Sequence, residues 1–121
     1  LLLSIERLAG KLDRYIKPPE KPSLLHGDLW TGNVMALPGR VTGFIDPALY
    51  FGHPEIELAF TTLFSTFGAP FFRRYHEHSP IENDFFEDRR DIYNLYPLLV
   101  HVRLYGDLYI EPLTHTVERF V

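Results

Sequence analysis

Apolar positions recur at helical spacing toward both ends of this chain and alternate only briefly near its middle. In residues 1–17, Ile5, Leu8, Leu12, Tyr15 and Ile16 share a face, while Glu6, Arg7, Lys11 and Asp13 point elsewhere. That spacing predicts an amphipathic helix. Pro18-Pro19 ends it, because the residue before a proline avoids the helical region, and residues 17–23 read as a polar, proline-rich connector. Residues 54–66 are apolar nearly all round, which predicts a buried central helix. Pro54 suits its first position, and Glu55 and Glu57 suit its positive end. Gly68-Ala69-Pro70 breaks it, and a short helix follows over residues 71–77. Residues 84–104 form the longest periodic stretch, with Asn83 or Asp84 as cap and Phe85, Ile92, Leu95, Leu99 and Val102 on the core side. Pro97 should kink or split this helix, and Gly106 should stop it. A last helix is expected over residues 108–120, disturbed early by Pro112.

The middle of the chain reads differently. Val34–Leu37 and residues 41–45 flank Pro38-Gly39-Arg40, which predicts a β hairpin. Residues 47–54 have no period and carry Gly52 and two prolines, so a loop is expected there. Tyr50 and Phe51 on that loop either pack beneath it or contact a ligand. The whole predicts one mainly α (α+β) domain over residues 1–121: a helical body with a small β hairpin. No repeat or low-complexity segment interrupts it.

Composition narrows the partners. Twelve basic against sixteen acidic residues leave a net charge of −4, which disfavours nucleic acid. There is no cysteine, hence no disulfide framework. No apolar run approaches the ~20 residues of a membrane span. A soluble cytoplasmic protein is the default expectation.

The candidate chemistry lies where hairpin and connector meet. Leu24-Leu25 leads into His26-Gly27-Asp28; Asn33 follows five residues after Asp28, and Asp46 stands at the far end of the hairpin. A loop leaving one strand at Asp28 and entering another at Val34 can turn both side chains into one cavity. The hairpin then returns Asp46 to the same place. This is the spacing of kinase catalytic loops. Ionised Asp28 only accepts hydrogen bonds, so it can orient and deprotonate an attacking hydroxyl. Asn33 and Asp46 offer hard oxygens that suit magnesium, which usually keeps water and phosphate in its remaining positions. His26 is read as a brace for the loop, and Gly27 and Gly32 as positions for tight backbone. Trp30 either shapes a substrate pocket or wedges the loop. His53, beside the rim loop, is either structural or a substrate contact.

The remaining polar residues have plainer readings. His76-Glu77-His78 are read as solvated histidines, since positions two apart do not share a helix face. His101 is read as a satisfied core histidine, and Arg73-Arg74 and Arg89-Arg90 as solvated charge pairs. A metal hydrolase would need more His and Asp ligands at matched spacings than His26 and Asp28 supply.

The blocks His26-Gly-Asp-Leu-Trp-Thr-Gly-Asn33 and Ile45-Asp-Pro-Ala-Leu-Tyr-Phe-Gly-His53 resemble the signatures of the fructosamine kinase (ketosamine kinase) family. That family belongs to the aminoglycoside-phosphotransferase-like branch of the protein-kinase-like fold. Trp30 discriminates, because the wider branch tolerates many residues there. The likeness continues through Glu57-Leu-Ala59, Leu63-Phe64, Asp91-Ile-Tyr-Asn-Leu-Tyr96 and Leu104-Tyr-Gly106.

By this resemblance, Asp28 is the catalytic base, Asn33 and Asp46 hold magnesium and nucleotide, and ATP phosphorylates a sugar hydroxyl on a small-molecule or protein-bound ketosamine. One departure is Glu57, where the family usually has Asp; if that carboxylate braces the loop, an extra methylene could misplace the bond. A second is the absence of a preceding Gly-rich phosphate loop and strand lysine. The chain is therefore expected to be most of a carboxy-terminal lobe, inactive alone, with an exposed inter-lobe surface inviting a dimer. The alternatives are an aminoglycoside or small-molecule phosphotransferase of the same fold, and a non-catalytic pseudokinase or interaction module.

Overall fold

The computed structural model describes residues 1–121. Helix α1 (Leu2–Ala9) is followed by a 3-10 turn, Leu12–Arg14, so the continuous helix expected over 1–17 is broken. Gly10 ends it; a residue without Cβ holds helical backbone weakly. The predicted face is still the inner one. Leu8 is buried, and Ile5, Leu12, Tyr15 and Ile16 pack against the same cluster.

The β structure is two separate antiparallel pairs, not one hairpin. Strands β2 (Val34–Leu37) and β3 (Arg40–Phe44) form the expected hairpin, with Val34 opposite Phe44 and Leu37 opposite Arg40. Gly39 has φ 80, the left-handed backbone that a proline-led turn demands of its next residue. The second pair corrects the loop expected over 47–54. Strand β4 (Tyr50–Gly52) lies against β1 (Ser23–Leu25), with Leu25 opposite Tyr50. Strands of three residues are too short to show alternation, so only the pairing reveals them.

Helix α2 (Pro54–Leu63) ends before residue 66, where Phe64 leaves the helix and Ser65 turns to φ 51. Glu55, Leu58, Ala59 and Thr61 are its buried positions, so it is half-buried rather than central. Helix α3 (Ala69–His78) starts beyond Gly68. A π-helical turn, Phe85–Arg89, precedes α4 (Arg90–Tyr105). Of the two expected cap residues, Asp84 takes the N-cap position of the π turn and Asn83 does not. Asp84 takes φ 68 without a side-chain bond, and the Asn83 carbonyl accepts from Arg89. Helix α4 runs unbroken through Pro97, which therefore does not split it. Leu98 takes the core side in place of Leu99, which is 40% exposed and lines a cavity. Gly106, φ 74, stops α4 as expected, and α5 (Ile110–Glu118) follows a 3-10 turn.

Two small cores result. Leu8, Ile92, Leu98, Leu113, Val117 and Phe120 join α1, α4 and α5. Leu58, Ala59 and Phe85 join α2 to the π turn. An ion pair between α2 and the π turn overturns the solvated reading of Arg89. Its Nε and Nη2 donate to the two Glu55 oxygens at 2.9 and 2.8 Å, with the side chains 13% and 8% exposed. That hydrogen bonding, foremost, raises the guanidinium pKa further. Arg90 is also paired, with Asp91. The Tyr93 hydroxyl is buried without a well-formed hydrogen bond, and burial, then the Glu55 charge, pushes it up to about 12.

The accessible surface is 8467 Å². A compact monomer of 14.1 kDa exposes roughly 6,700 Å² by the usual size scaling. Large apolar side chains are part of that exposed surface, and on the strands Leu24, Met35, Leu37, Phe44 and Phe51 are all at least half exposed. No helix is long and apolar enough to cross a membrane.

Candidate active site

The loop from His26 to Asn33 is held from three sides. From below, Glu57 on α2 accepts the His26 N–H at 3.0 Å and the Gly27 N–H at 2.8 Å, one with each oxygen. The glutamate's extra methylene therefore leaves the brace intact. From the side, the Ala48 N–H donates to the His26 carbonyl at 2.7 Å. Gly27 makes that approach possible. Its φ is 87, and a Cβ there would sit 2.0 Å from the Ala48 carbonyl oxygen.

His26 braces from within. Its Nε2 lies 2.7 Å from the Ile45 carbonyl, and its Nδ1 accepts the Asp28 N–H at 3.2 Å. A carbonyl only accepts, so the proton must sit on Nε2. The ring thus ties the loop to the strand end that carries Asp46.

Asn33 makes the decisive contact. Its Nδ2 donates to the Asp28 carbonyl at 2.8 Å and to Asp28 Oδ2 at 3.2 Å. Its own carbonyl accepts the Ile45 N–H at 3.0 Å. Asn33 is buried, Asp28 half-buried and Asp46 exposed. Asp46 has φ 49, and its carboxylate takes no hydrogen bond or ion pair from the protein. The structure therefore joins Asp28 to Asn33 directly, and joins Asp46 to both through the backbone beside it. With Nδ2 committed, Asn33 Oδ1 stays open, as does the Asp46 carboxylate. These two are hard oxygens, the donor type that magnesium takes one or two of from a protein.

The other sequence candidates separate. Trp30, 42% exposed, crosses Gly32 so closely that a Cβ there would meet its ring at 2.4 Å, and it meets Phe64 edge-on. Thr31 Oγ1 also reaches the Phe64 carbonyl, tying the loop to the end of α2. His53 is the N-cap of α2, its Nδ1 accepting the Glu55 N–H at 3.1 Å. Tyr50 faces Gly27, and burial, then Glu57, raises its pKa. Phe51 does not pack beneath the segment; it is 72% exposed.

A cavity of about 830 Å³ opens at Gly27, Asp28, Glu57 and Tyr50 and runs between α1 and α4. Most of its lining is apolar, and His101 lies in its wall. His101 is half-buried and satisfied at Nδ1, but it is not sealed in a core. Its part in the site was not legible in one sequence. The only hint was its four-residue spacing from Tyr105 on one helix face.

A family profile described as Fructosamine kinase matches residues 3–121. The chain belongs to the fructosamine kinase family. It is 36% identical over 105 residues to a protein named Probable ketoamine kinase from Staphylococcus aureus, covering 87% of this chain and 36% of that one. It is 42% identical over 89 residues to the chloroplastic protein-ribulosamine 3-kinase of Oryza sativa subsp. japonica, covering 74% of this chain and 25% of that one. Among solved structures, a Thermobifida fusca protein assigned by name to the fructosamine-3-kinases superposes with TM-score 0.79 at 37% identity. That match covers 95% of this chain and 40% of the other. As a fructosamine kinase family member, the chain spans about a third of the length of the curated relatives it matches.

Proposed function

We propose that the chain is most of the carboxy-terminal lobe of a kinase that uses ATP to phosphorylate a sugar hydroxyl on a ketosamine. The observation that carries this reading is the Asn33 amide, which grips both the carbonyl and the carboxylate of Asp28 while its backbone carbonyl holds Ile45, the residue before Asp46. Asp28 orients the attacking hydroxyl and accepts its proton. Asn33 Oδ1 and the Asp46 carboxylate hold magnesium and, through it, the nucleotide phosphates. A bound magnesium ion supplies positive charge for the transferred phosphoryl group. Glu57, Gly27 and His26 keep the loop in register for this. The lobe that covers ATP from above lies outside these 121 residues in this reading.

The test uses the full-length protein that carries this segment, with MgATP and a panel of ketosamines, ribosylamines and aminoglycosides. Phosphoryl transfer to a ketosamine is expected. Asp28→Ala and Asp46→Ala should each lower it by about 10²–10⁴-fold without lowering the melting temperature. Near-normal turnover in Asp46→Ala would sink the role given to that residue. The exposed apolar strand surface favours a second reading, an interaction module without chemistry. Absence of both transfer and nucleotide binding would favour it.

A further inference from the structure

Four polar side chains are buried: Asn33, Glu55, Thr61 and Asn94. Asn33 belongs to the Asp28 loop, Glu55 pairs with Arg89, and the Thr61 hydroxyl donates to the Leu58 carbonyl on its own helix. Asn94, on α4 and 5% exposed, reaches to a different helix. Its Nδ2 donates to the Ala59 carbonyl of α2 at 2.9 Å and to Thr62 Oγ1 at 3.3 Å. Thr62 Oγ1 in turn donates to the same Ala59 carbonyl at 2.7 Å. A carbonyl only accepts, so the amide can face it only with its nitrogen. Both amide hydrogens are spent in this way, and Oδ1 is left buried with no donor.

A buried acceptor without a partner costs stability. An apolar side chain of similar shape would fill the crossing of α4 and α2 without that cost. Stability therefore does not account for the amide. What an amide adds is direction: it fixes where one helix sits on the other, which an apolar contact does not.

The place of the contact matters. Helix α2 has one polar attachment near its start, the Glu55–Arg89 pair, and a second at Ala59 and Thr62. One attachment is a pivot; two fix the line of the helix. A helix rises about 1.5 Å per residue, so a swing about Glu55 is largest at the far end, at Phe64. That end holds the loop. Thr31 Oγ1 donates to the Phe64 carbonyl at 3.4 Å, and Trp30 meets the Phe64 ring edge-on. Trp30 and Thr31 lead directly into Asn33, so movement of Phe64 reaches the contact between Asn33 and Asp28.

We propose that Asn94 is a positioning residue for the reaction. By clamping Ala59 and Thr62 it holds the far end of α2, and through Phe64 the Trp30–Asn33 half of the loop, where Asn33 meets Asp28. This rests on the kinase reading above. Asn94 acts through α2, and Asp28 remains the base.

The experiment uses the full-length protein and reads three quantities: kcat on a ketosamine, melting temperature, and hydrogen exchange in the segment 28–34. Asn94→Leu removes the clamp together with its orphaned oxygen. It should lower kcat about tenfold at an unchanged melting temperature, and exchange in 28–34 should accelerate. Thr62→Val keeps the shape and removes one acceptor; it should lower kcat about threefold, and it decides the matter if Asn94→Leu does not fold. The double variant should lose no more than Asn94→Leu alone, because the two act as one unit. Unchanged kcat and exchange in both single variants overturn the proposal. So does a loss of kcat that only follows a fall in melting temperature, with exchange rising equally in every segment, since that is the mark of a merely structural residue. Both outcomes leave the kinase reading standing. Wild type that transfers no phosphoryl group overturns the kinase reading, and this role falls with it.

Discussion

Glu57 and Gly27 are joined across thirty positions of sequence by a 2.8 Å hydrogen bond, from the Gly27 N–H to Glu57 Oε1. The other oxygen holds the N–H of His26. One carboxylate on a helix thus satisfies two successive amides that lie outside any helix or strand. Glu57→Ala should leave both amides without protein partners and cost about 2 kcal/mol. Urea denaturation reads the loss, and hydrogen exchange at residues 26 and 27 should accelerate first. Unchanged exchange there would show that the loop holds itself.

Gly27 and Gly39 make a matched pair of tests. Both have positive φ, 87 and 80. At Gly27 a Cβ would collide with the Ala48 carbonyl, while at Gly39 it would meet nothing within 4 Å. Gly39→Ala should therefore cost only the backbone strain, about 1 kcal/mol. Gly27→Ala should cost clearly more, because the β1–β4 end must move. Equal melting temperatures for the two variants would contradict the close approach at Ala48.

Arg89 and Glu55 are both largely shielded from water, and each depends on the other. Arg89→Met should destabilise by about 3 kcal/mol, since it strands a buried carboxylate. Adding Glu55→Gln should recover part of that loss. A cycle of the four proteins in urea measures the coupling. Additive single effects would show that the pair is spectator chemistry.

The Tyr93 phenol gives a signature at high pH. Its folded pKa of about 12 lies above the ordinary 10.0, so the folded state keeps a proton that the unfolded chain releases. Stability should therefore be unaffected below about pH 10 and fall as pH rises toward 12. Screening at this half-buried ring holds the effect below about 1 kcal/mol. Ultraviolet titration should show a tyrosine transition near pH 12 that is absent in Tyr93→Phe.

The surplus of exposed surface predicts the behaviour of the 121-residue chain alone. It should self-associate and bind hydrophobic dyes, and a double change, Phe44→Lys with Phe51→Lys, should reduce both. Light scattering across a concentration series checks this. A chain that stays monomeric and dye-free would show that the strand face is stable in water.

What could be read in advance was whatever repeats or turns at fixed spacing. The α1 face, the hairpin around Pro38-Gly39 and the stop at Gly106 all follow from local chemistry. So does the loop in which Asn33 meets Asp28, because both lie in one short stretch. What escaped depends on partners far apart in sequence. Arg89 looks like a surface charge until Glu55 stands opposite, and β4 looks like loop until β1 lies beside it. The π turn ahead of α4 carries no periodic mark. The ring contact between Phe64 and His101 likewise needs the end of α2 and α4 to be packed before it exists.

Asp46 carries a tension of its own. A left-handed backbone at φ 49 is uncomfortable for a residue with a side chain, by roughly 1 kcal/mol, and glycine would sit there at ease. Asp46→Gly should thus make the fold more robust while deleting the acid; under the role proposed for Asp46, the sturdiest version of this segment and the working one are different molecules. Screening variants for heat resistance alone would steer toward the disarmed protein.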